Sequence, residues 1–451
     1  MTSRLVPSTL LVLTLGVVQA FADDACLTGA STLDDQRAIA TLRTDTEAGC
    51  ACATAASKGS YRRCAKVLLE NALTGATLRT ACEAAMKRDI KTASCGTNRV
   101  PCGRVQDTAA PPVSCRIKAA AACTDRAKYD QTACDEQTHC SDVVEWTAGT
   151  CSDVRVRGPF EAGVQTIVMT KPSVVDPMQP RELDTVVWYP TTPGAGPIDG
   201  ATGGVLDAPV DGSGGPYPVL LFSHGSCGYP LQSTFLLPLI ASRGYIVVAP
   251  PHPGNTLFEF PACGSPAALF DSAQERPQDM IFALDQMLAA NADTGSPFFG
   301  MLDANRIGMS GHSFGGFTTF FVTNLDARIK VAIPMAPATP GTNASFTVPS
   351  LMMLGAIDSV INLTTARQAY DNSTGPKYKV EIAHAGHFAF SNLCFPSADC
   401  NPPTTLTQDE AHGPVLRWVI PFLEWKLKGD TRFAAFFDAP APAGVDVAGA
   451  P

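Results

Sequence analysis

Hydrophobic and polar positions follow two different patterns along this 451-residue chain. Between residues 153 and 440, short β-branched runs, several of them continuously apolar, alternate with Gly- and Pro-rich turns and with segments of helix-forming composition. Such runs are typical of strands that helices cover on both faces, so the pattern predicts an α/β domain with a mostly parallel sheet. The predicted strands are 166–169, 185–189, 219–223, 246–249, 306–309, 331–334, 351–354 and 378–383, and the predicted helices include 232–242, 277–290 and 317–324.

Residues 23–152 are rich in Ala, Thr, Arg and Asp and poor in aromatic side chains. In 33–46 and 61–73, apolar residues recur three and four positions apart, which predicts short helices. We interpret 96–112 as a connection. So few large apolar side chains do not make a core alone, so we predict a small, mainly helical domain held together by disulfides. Its role stays open between docking on a surface or substrate, a removable pro-region and a structural appendage.

The two ends of the chain have compositions of their own. Residues 1–22 predict a secretion signal, with Arg4, the apolar run 5–18 and an Ala-x-Ala cleavage motif at 20–22; a membrane anchor is the alternative. No other stretch is apolar enough to span a bilayer, so we expect a secreted or periplasmic protein. The Pro/Ala-rich residues 441–451 are predicted to be a disordered tail. A net charge of −9 argues against a nucleic-acid partner.

The sixteen cysteines support an oxidising destination. Twelve lie between Cys26 and Cys151 and four lie beyond, so each set can pair within its own region. Zinc is the alternative for the first set, but that stretch has a single histidine, His139, and no paired C-x-x-C.

The segment 306–317 carries the strongest chemical motif. Gly311, Ser313 and Gly315 form G-x-S-x-G between a predicted strand and a predicted helix. This is the pattern of a nucleophile elbow, a sharp turn that raises the serine hydroxyl above the edge of a sheet. A plain Gly/Ser turn is the alternative, and the presence of catalytic partners further along the chain decides between them.

Those partners are sought at the carboxyl ends of the later strands, where functional residues of parallel sheets gather. Asp358 follows the seventh predicted strand and His387 follows the eighth. The order Ser313, Asp358, His387 is that of an α/β-hydrolase triad, in which imidazole takes the serine proton and the carboxylate orients the imidazole. The rivals are less well placed, because Asp371 lies in a polar loop, Glu381 lies inside a strand and His384 suits a core position.

An oxyanion hole requires two backbone N–H donors. Phe314, directly after the serine, is the first candidate, and Ser226, in the His-Gly turn after strand 219–223, is the second. His224 and His252 also follow strands, and we predict that they hold turns through hydrogen bonds. His312 lies beside the serine, but no other residue stands at a metal-ligand spacing from it. No metal or cofactor is required.

Three short motifs resemble one branch of the α/β hydrolases. They are Phe-Ser-His-Gly at 222–225, Gly-His-Ser-Phe-Gly-Gly at 311–316 and Gly-His-Phe at 386–388. Together they resemble the platelet-activating-factor acetylhydrolase and dienelactone-hydrolase-like branch over residues 160–430. The resemblance implies that Ser313 is the nucleophile and that Phe314 and Ser226 are the oxyanion donors.

The acid departs from that branch. Eukaryotic acetylhydrolases carry it after the strand that follows the nucleophile helix, where this chain has Met335-Ala336. Asp358, one strand later, is more similar to the acid of cutinases and bacterial polyester hydrolases. The dienelactone hydrolases proper also use a cysteine nucleophile, whereas this chain has Ser313.

The sequence therefore predicts a secreted serine hydrolase that acts on an apolar ester, with a phospholipid acetyl ester among the candidates. A polyester, cutinase-type or triglyceride hydrolase is the alternative, and a non-catalytic binding or adhesion protein on a hydrolase scaffold is the rival of another class. We expect an apolar pocket beside the serine, and core packing is the alternative role of its residues. We also expect a disulfide Cys227–Cys263 at the rim of the pocket and a disulfide Cys394–Cys400 in the loop after His387. Cross-pairing of these four cysteines is the alternative. The predicted pocket residues are Phe314, Phe317, Phe388, Phe390 and 257–260.

Overall fold

The computed structural model describes residues 25–106, 113–394, 398–400, 405–439 and 441–450. The predicted secretion signal, residues 1–22, lies outside the described residues. Among the helices that the structure describes, none is both long and apolar enough to cross a bilayer.

The N-terminal region contains both helices and a sheet. Helices α1 (Thr32–Cys50) and α2 (Lys58–Thr74) confirm the prediction for 33–46 and 61–73. The prediction of a connection over 96–112 is wrong for Val100–Gln106, which form the strand β1, and 107–112 lie outside the described residues. The strands lie antiparallel in the order β2-β1-β3. The interior of this small sheet is filled by the fully buried Cys102 and not by a run of large apolar residues. The sequence therefore lacks the hydrophobic pattern that predicts a strand. The elements are α1 Thr32–Cys50, α2 Lys58–Thr74, α3 Glu83–Lys91, β1 Val100–Gln106, β2 Ser114–Lys118, β3 Tyr129–Ala133 and α4 Cys140–Glu145.

Disulfides replace much of the missing core in this region, as predicted. The sixteen cysteines pair within their own regions, and their sulfurs are therefore not available as thiolate ligands for a metal. Each such cross-link typically contributes about 2–4 kcal/mol of stability. The pairs are Cys26–Cys82, Cys50–Cys64, Cys52–Cys95, Cys102–Cys123, Cys115–Cys140, Cys134–Cys151, Cys227–Cys263 and Cys394–Cys400.

The rest of the chain is built on one mixed sheet, in the strand order β13-β12-β11-β10-β9-β7-β8-β5-β4-β6. All eight predicted strands are present in it. The strands from β12 to β8 in this order run parallel, and β5, β4 and β13 add antiparallel neighbours at the two sides. The strands are β4 Glu161–Pro172, β5 Pro180–Thr191, β6 Val205–Leu206, β7 Tyr217–Ser223, β8 Ile246–Ala249, β9 Leu302–His312, β10 Ile329–Met335, β11 Ser350–Gly355, β12 Lys377–Ile382 and β13 Val445–Ala450.

Helices cover both faces of this sheet, which explains its continuously apolar strands. In β7, Leu220 and Phe222 belong to one buried cluster, whereas Val219 and Leu221 belong to another. The first cluster includes side chains of α5 and α9, and the second includes side chains of α6 and α7. This is the predicted α/β-hydrolase fold. The helices are α5 Leu237–Ser242, α6 Pro266–Ala292, α7 Phe314–Leu325, α8 Leu363–Asn372, α9 Gln408–Lys426 and α10 Ala435–Asp438.

The prediction of a disordered tail over 441–451 is wrong for most of that segment. Residues Val445–Ala450 form β13, which pairs antiparallel with β12 along its whole length. The backbone of an edge strand such as β12 offers unpaired hydrogen-bonding groups to another strand. The Pro/Ala-rich composition of the tail does not indicate that it pairs with this edge. Val445 and Val447 also pack against the main core, so apolar burial stabilises the strand in this position.

The N-terminal helix α1 contacts the catalytic region through polar groups and through Leu33, which belongs to the main core. Arg37 of α1 donates two hydrogen bonds to the Glu410 carboxylate, at 2.5 and 2.8 Å, and one to the Thr405 carbonyl oxygen at 3.0 Å. The neighbouring Gln36 donates to the carbonyl oxygen of Ala443 at 2.8 Å. Glu410 also caps the first turn of α9, so the contact ties α1 to an element of the main core.

We expect Arg37→Met to lower the free energy of unfolding by about 1 kcal/mol, because a two-point charge-assisted contact is lost at a partly exposed position. Urea unfolding followed by circular dichroism measures this change. Lys66→Met is the matched control, because the ion pair of Lys66 with Glu70 on α2 is exposed on both sides. Equal midpoints for the two variants would contradict a stabilising role of the Arg37 contact.

Candidate active site

The backbone at Ser313 has the form of a sharp strand-to-helix turn. The residue lies between the end of β9 and the start of α7, with φ 58° and ψ −116°. A side chain at positive φ is strained, and such strain persists only where the surroundings enforce it. A Cβ atom on Gly315 would lie 1.8 Å from the Ser223 carbonyl oxygen, and one on Gly311 would lie 2.3 Å from the Gly315 oxygen. The two glycines of the motif are therefore required by close backbone approach.

Asp358 and His387 form a buried pair at the same edge of the sheet. Asp358 follows β11 and His387 follows β12, and the Nδ1 atom of the imidazole donates to Oδ2 of the carboxylate at 2.8 Å. The other carboxylate oxygen accepts from the backbone N–H groups of Val360 and Ile361, at 2.8 and 3.0 Å. The carboxylate is thus held from both sides, and Nε2 of His387 is the nitrogen left to accept a proton.

The rival acids lie elsewhere. Asp371 is exposed on the helix α8, so the prediction that it lies in a loop is wrong. Glu381 lies on the strand β12, as predicted, and forms an ion pair with Arg367 of α8. Neither therefore shares the position of Asp358 against the His387 ring.

A chain of three hydrogen bonds links the separate parts of the site. Gly225 donates its N–H to Oε1 of Gln232 at 2.9 Å, and Nε2 of Gln232 donates to Nδ1 of His312 at 3.0 Å. His312 in turn donates from Nε2 to the carbonyl oxygen of His387 at 2.9 Å. Burial, with the nearby His387 ring adding to it, lowers the pKa of His312 well below its usual value, so this bridging imidazole is neutral. The bridge joins the His-Gly turn, the serine turn and the histidine loop.

Gln232 is a residue that the sequence analysis missed. It lies in a segment predicted only as a helix, where nothing in the spacing marks an inward amide. The structure places its buried side chain between the predicted oxyanion turn and His312, which follows from the packing of two loops far apart in sequence.

The two predicted oxyanion residues flank the serine. A Cβ atom on Gly225 would lie 3.3 Å from Cβ of Ser313, so the turn that carries Ser226 lies directly beside the candidate nucleophile. Phe314 is the first residue of α7, where N–H groups lack intrahelical partners. Within the described residues, neither the Ser226 N–H nor the Phe314 N–H donates a hydrogen bond.

The predicted hydrogen-bonding role of His224 and His252 is confirmed. His224 donates from Nδ1 to the Gly225 oxygen at 2.7 Å, and its Nε2 accepts from the N–H of His252 at 3.1 Å. His252 accepts from the Ser223 hydroxyl at 2.9 Å and donates to Asp279 at 3.0 Å. Burial, followed by the Arg276 charge, lowers the pKa of both imidazoles well below the usual value. This second Ser-His-Asp chain is fully buried, so it does not reach a substrate.

The predicted apolar residues divide between the site and the core. Phe390 is fully buried in the main core, as the core-packing alternative had it. Phe388 is half-buried, and its ring stands edge-on to His387 at 5.2 Å. Phe314 and Phe317 are half-buried neighbours on α7, with ring centroids 5.1 Å apart. Phe258, in the loop after His252, is 86% exposed.

The predicted disulfides at the site are confirmed. Cys227–Cys263 ties the residue after Ser226 to the segment before α6, and Cys394–Cys400 closes the loop that follows His387. Both cross-links limit the movement of loops that carry candidate catalytic groups.

One buried histidine behind the site predicts acid sensitivity. Burial against Phe235, whose ring stacks on His412 at 3.6 Å, lowers the pKa of His412 to about 4. The unfolded state, with a pKa near 6.5, binds more protons between these values, so stability falls as the pH drops through this window. We expect His412 to contribute about 2 kcal/mol of that loss between pH 7.5 and 5. Urea midpoints at both pH values should therefore differ less in His412→Gln than in the wild type; equal differences would refute the assignment.

The comparisons with known proteins fit this geometry. The sequence model of the PET hydrolase-like family matches residues 191–442, which is more than half of the chain and includes every candidate site residue. The chain belongs to the PET hydrolase-like family. That membership covers the sheet from the end of β5 to β12 and leaves the Cys-rich N-terminal region outside the match.

Individual relatives of this PET hydrolase-like protein are distant. It is 28% identical to Cutinase est1 of Thermobifida alba over 195 residues, which is 42% of this chain and 60% of the cutinase. It is 26% identical to Lipase 1 of Moraxella sp. (strain TA144) over 242 residues, or 53% of this chain and 65% of the lipase. Cutinase cut1 of Thermobifida fusca is 27% identical over 195 residues, 42% of this chain and 55% of that cutinase. The chain thus spans less than two thirds of the length of these relatives.

Proposed function

We propose that this protein is a serine hydrolase of carboxylic esters. Ser313 is the nucleophile, His387 the general base and Asp358 the residue that orients the base. The single observation that carries this proposal is the 2.8 Å hydrogen bond between Asp358 and His387 at the sheet edge where Ser313 occupies its strained turn. A non-catalytic binding protein has no need of that combination.

The reaction proceeds in two halves. Ser313 Oγ attacks the ester carbonyl carbon while its proton passes to Nε2 of His387, and the new C–O bond gives a tetrahedral intermediate. The intermediate collapses when the bond to the leaving alcohol breaks and His387 returns the proton to that alcohol. Water then attacks the acyl-enzyme in the same way and releases the acid. Asp358 stabilises the imidazolium that forms in each half.

The negative oxygen of the intermediate is stabilised by the N–H groups of Ser226 and Phe314. Support comes from their position on either side of Ser313 and from the absence of other acceptors for these donors among the described residues. Donors that are already oriented before the reaction cost nothing to arrange in the transition state, and each contributes about 100- to 1000-fold in rate.

The substrate is an apolar ester. Phe314, Phe317 and Phe388 are half-buried around the serine and histidine, and such rings favour an apolar acyl or alcohol group. The Gly-His-Ser-Phe-Gly-Gly resemblance favours a short acyl ester such as a phospholipid acetyl ester. A polyester or triglyceride is the second candidate, favoured by the placement of the acid after β11 and by relatives named cutinase and lipase.

The protein acts outside the cytoplasm. The disulfides that join all its cysteines require an oxidising compartment, and the predicted signal at residues 1–22 supplies the route. Residues 23–152 form an accessory domain docked on the catalytic domain 153–440, and its role in surface contact is a further part of this proposal.

A fluorophosphonate probe tests the proposed nucleophile directly. We expect one label per molecule, on the peptide that contains Ser313, and loss of ester hydrolysis in step with labelling. A label on any other residue, or hydrolysis that survives full labelling of Ser313, would overturn the assignment.

The acyl preference tests the substrate class. p-Nitrophenyl acetate, butyrate, octanoate and palmitate are compared by kcat/KM. A maximum at acetate supports the short-acyl ester, and the phospholipid acetyl ester is then assayed directly. A maximum at octanoate or palmitate supports the triglyceride alternative. Soluble products released from a polyester film would support the cutinase-type alternative.

A further inference from the structure

Arg276 of α6 is a fully buried cation directly behind the predicted oxyanion turn. Burial of a guanidinium costs several kcal/mol unless its N–H groups are satisfied, and here each of its three nitrogens donates. Its partners are Ser272 Oγ at 2.8 Å, His224 O at 2.6 Å, Ser223 Oγ at 3.3 Å, Gly225 O at 3.1 Å and Asn255 Oδ1 at 2.6 Å. Three of these five partners belong to residues 223–225, the segment that leads into Ser226.

We infer that Arg276 is a positioning residue that sets the geometry and the electrostatic potential of the oxyanion hole. The inference rests on the proposed function, because it assigns Arg276 a part in the stabilisation of the same intermediate. Arg276 itself acts through Ser226 and Phe314 and does not contact the substrate.

The Gly225–Ser226 peptide transmits the first effect. This peptide bond is trans, so its C=O and its N–H point in opposite directions within one plane. The Gly225 oxygen accepts from Arg276 at 3.1 Å, from Nδ1 of His224 at 2.7 Å and from the N–H of Gly228 at 3.1 Å. With the oxygen held on one side, the Ser226 N–H is directed to the opposite side.

Two further contacts connect Arg276 to the residues that carry the two proposed oxyanion donors. Asn255 accepts from Arg276 through Oδ1 and donates through Nδ2 to the Ser226 hydroxyl at 3.1 Å, which fixes the side chain of the same residue. On the other flank, the guanidinium carbon lies 4.6 Å from the centroid of the Phe314 ring. The one cation therefore contacts, directly or through Asn255, both residues whose N–H groups are proposed to bind the oxyanion.

The charge of Arg276 is not cancelled by its neighbourhood. Behind it, Lys171 and Arg181 form ion pairs with Glu275 and Asp279, and these side chains are nearly buried. Three cations thus face two carboxylates. His224 and His252, which also face Arg276, are kept neutral by burial, as their lowered pKa values indicate. In a water-poor interior the remaining positive charge favours a negative oxygen at the turn more than it would in water.

Kinetics of Arg276→Met test this role against a purely structural one. The matched control is Arg417→Met, because Arg417 of α9 is an equally buried arginine that packs on Trp418 and Phe436, away from the serine turn. The measurements are kcat and KM for a p-nitrophenyl ester, and the inhibition constant of a trifluoromethyl ketone, which forms a tetrahedral oxyanion on serine.

We expect Arg276→Met to lower kcat about 100-fold, to change KM less than about 3-fold and to weaken the trifluoromethyl ketone by a factor close to the loss in kcat. Arg417→Met should leave both constants within about 3-fold of the wild type. If Arg276→Met and Arg417→Met change kcat and inhibitor affinity equally, or if the loss falls on KM, the inference is wrong.

Two milder variants keep the test decisive if Arg276→Met does not fold. Arg276→Lys keeps the charge but loses the planar fork. Asn255→Ala keeps Arg276 and removes the amide that joins it to Ser226, together with the hydrogen bond of that amide to the Cys263 carbonyl oxygen. Each variant should lower kcat about 10-fold with a parallel loss of inhibitor affinity. Unchanged kcat in both would overturn the inference while leaving the proposed function intact. A wild type that neither hydrolyses esters nor reacts with the fluorophosphonate at Ser313 would overturn both.

Discussion

Replacement of Ser313 by alanine is expected to lower kcat for ester hydrolysis by about a million-fold, with KM nearly unchanged. The variant keeps the apolar surroundings and the backbone N–H groups, so substrate still binds. It lacks the oxygen that forms the acyl-enzyme, and only slow attack by water remains. Alanine also tolerates the positive φ of residue 313 as well as serine does, so we expect no loss of folding.

Initial rates with p-nitrophenyl butyrate measure this effect, and labelling with the fluorophosphonate should disappear in parallel. The matched control is Ser310→Ala, because Ser310 lies on the same strand and donates its hydroxyl inward to the Ile333 carbonyl oxygen at 2.9 Å. That variant should lose some stability but less than 10-fold in kcat. A Ser313→Ala protein with the activity of the wild type would falsify the serine mechanism.

Asp358→Asn should lower kcat by about 10,000-fold through the tautomer of His387. The side-chain oxygen that accepts from Val360 and Ile361 has to remain an oxygen, because both partners are N–H donors. The amide nitrogen of asparagine then occupies the position of Oδ2, 2.8 Å from Nδ1 of His387, and presents a donor to it. Nδ1 must become the acceptor, the proton moves to Nε2, and the imidazole no longer accepts the proton of Ser313.

The control for this prediction is Asp371→Asn, which removes a carboxylate of the same type from an exposed position on α8. We expect its kcat to stay within about 2-fold of the wild type, because no contact of Asp371 with the residues that the structure describes leads to His387. Steady-state kinetics of both variants at pH 7.5 decide the matter. Loss of activity in Asp371→Asn together with a fully active Asp358→Asn would reassign the acid.

The fold of the catalytic region was predictable because the sequence pattern of each strand spans only a few residues and recurs along the chain. Strands such as β7 and β8 are buried at every position, since helices cover both of their faces, so their sequences are mostly apolar and show no solvent-facing alternation. The strands of the N-terminal region were not predictable in this way. There, β1 and β2 owe their place to disulfides such as Cys102–Cys123 and Cys115–Cys140, whose partners are far apart in sequence.

The candidate triad was predictable from order and position, because parallel strands deliver their carboxyl ends to one edge. The supporting groups were not. Gln232 lies in the predicted helix 232–242, although α5 begins only at Leu237, and Arg276 lies directly before the predicted helix 277–290. Their side chains matter because of loops that tertiary packing brings to them. Sequence spacing identifies residues that directly follow strands, but it does not predict which side chains of other elements pack against those residues.

The amino-acid sequence by itself determined the α/β architecture of residues 153–440, the pairing of cysteines within each region and the candidates Ser313, Asp358 and His387. Tertiary structure alone decided the strand β13 in the predicted tail, the sheet of the N-terminal region and the buried network around Arg276. The physical reason is the range of the interactions. Burial patterns and turn motifs act over a few residues, whereas edge-strand pairing, disulfides and buried hydrogen bonds join groups whose distance along the chain carries no information about their contact.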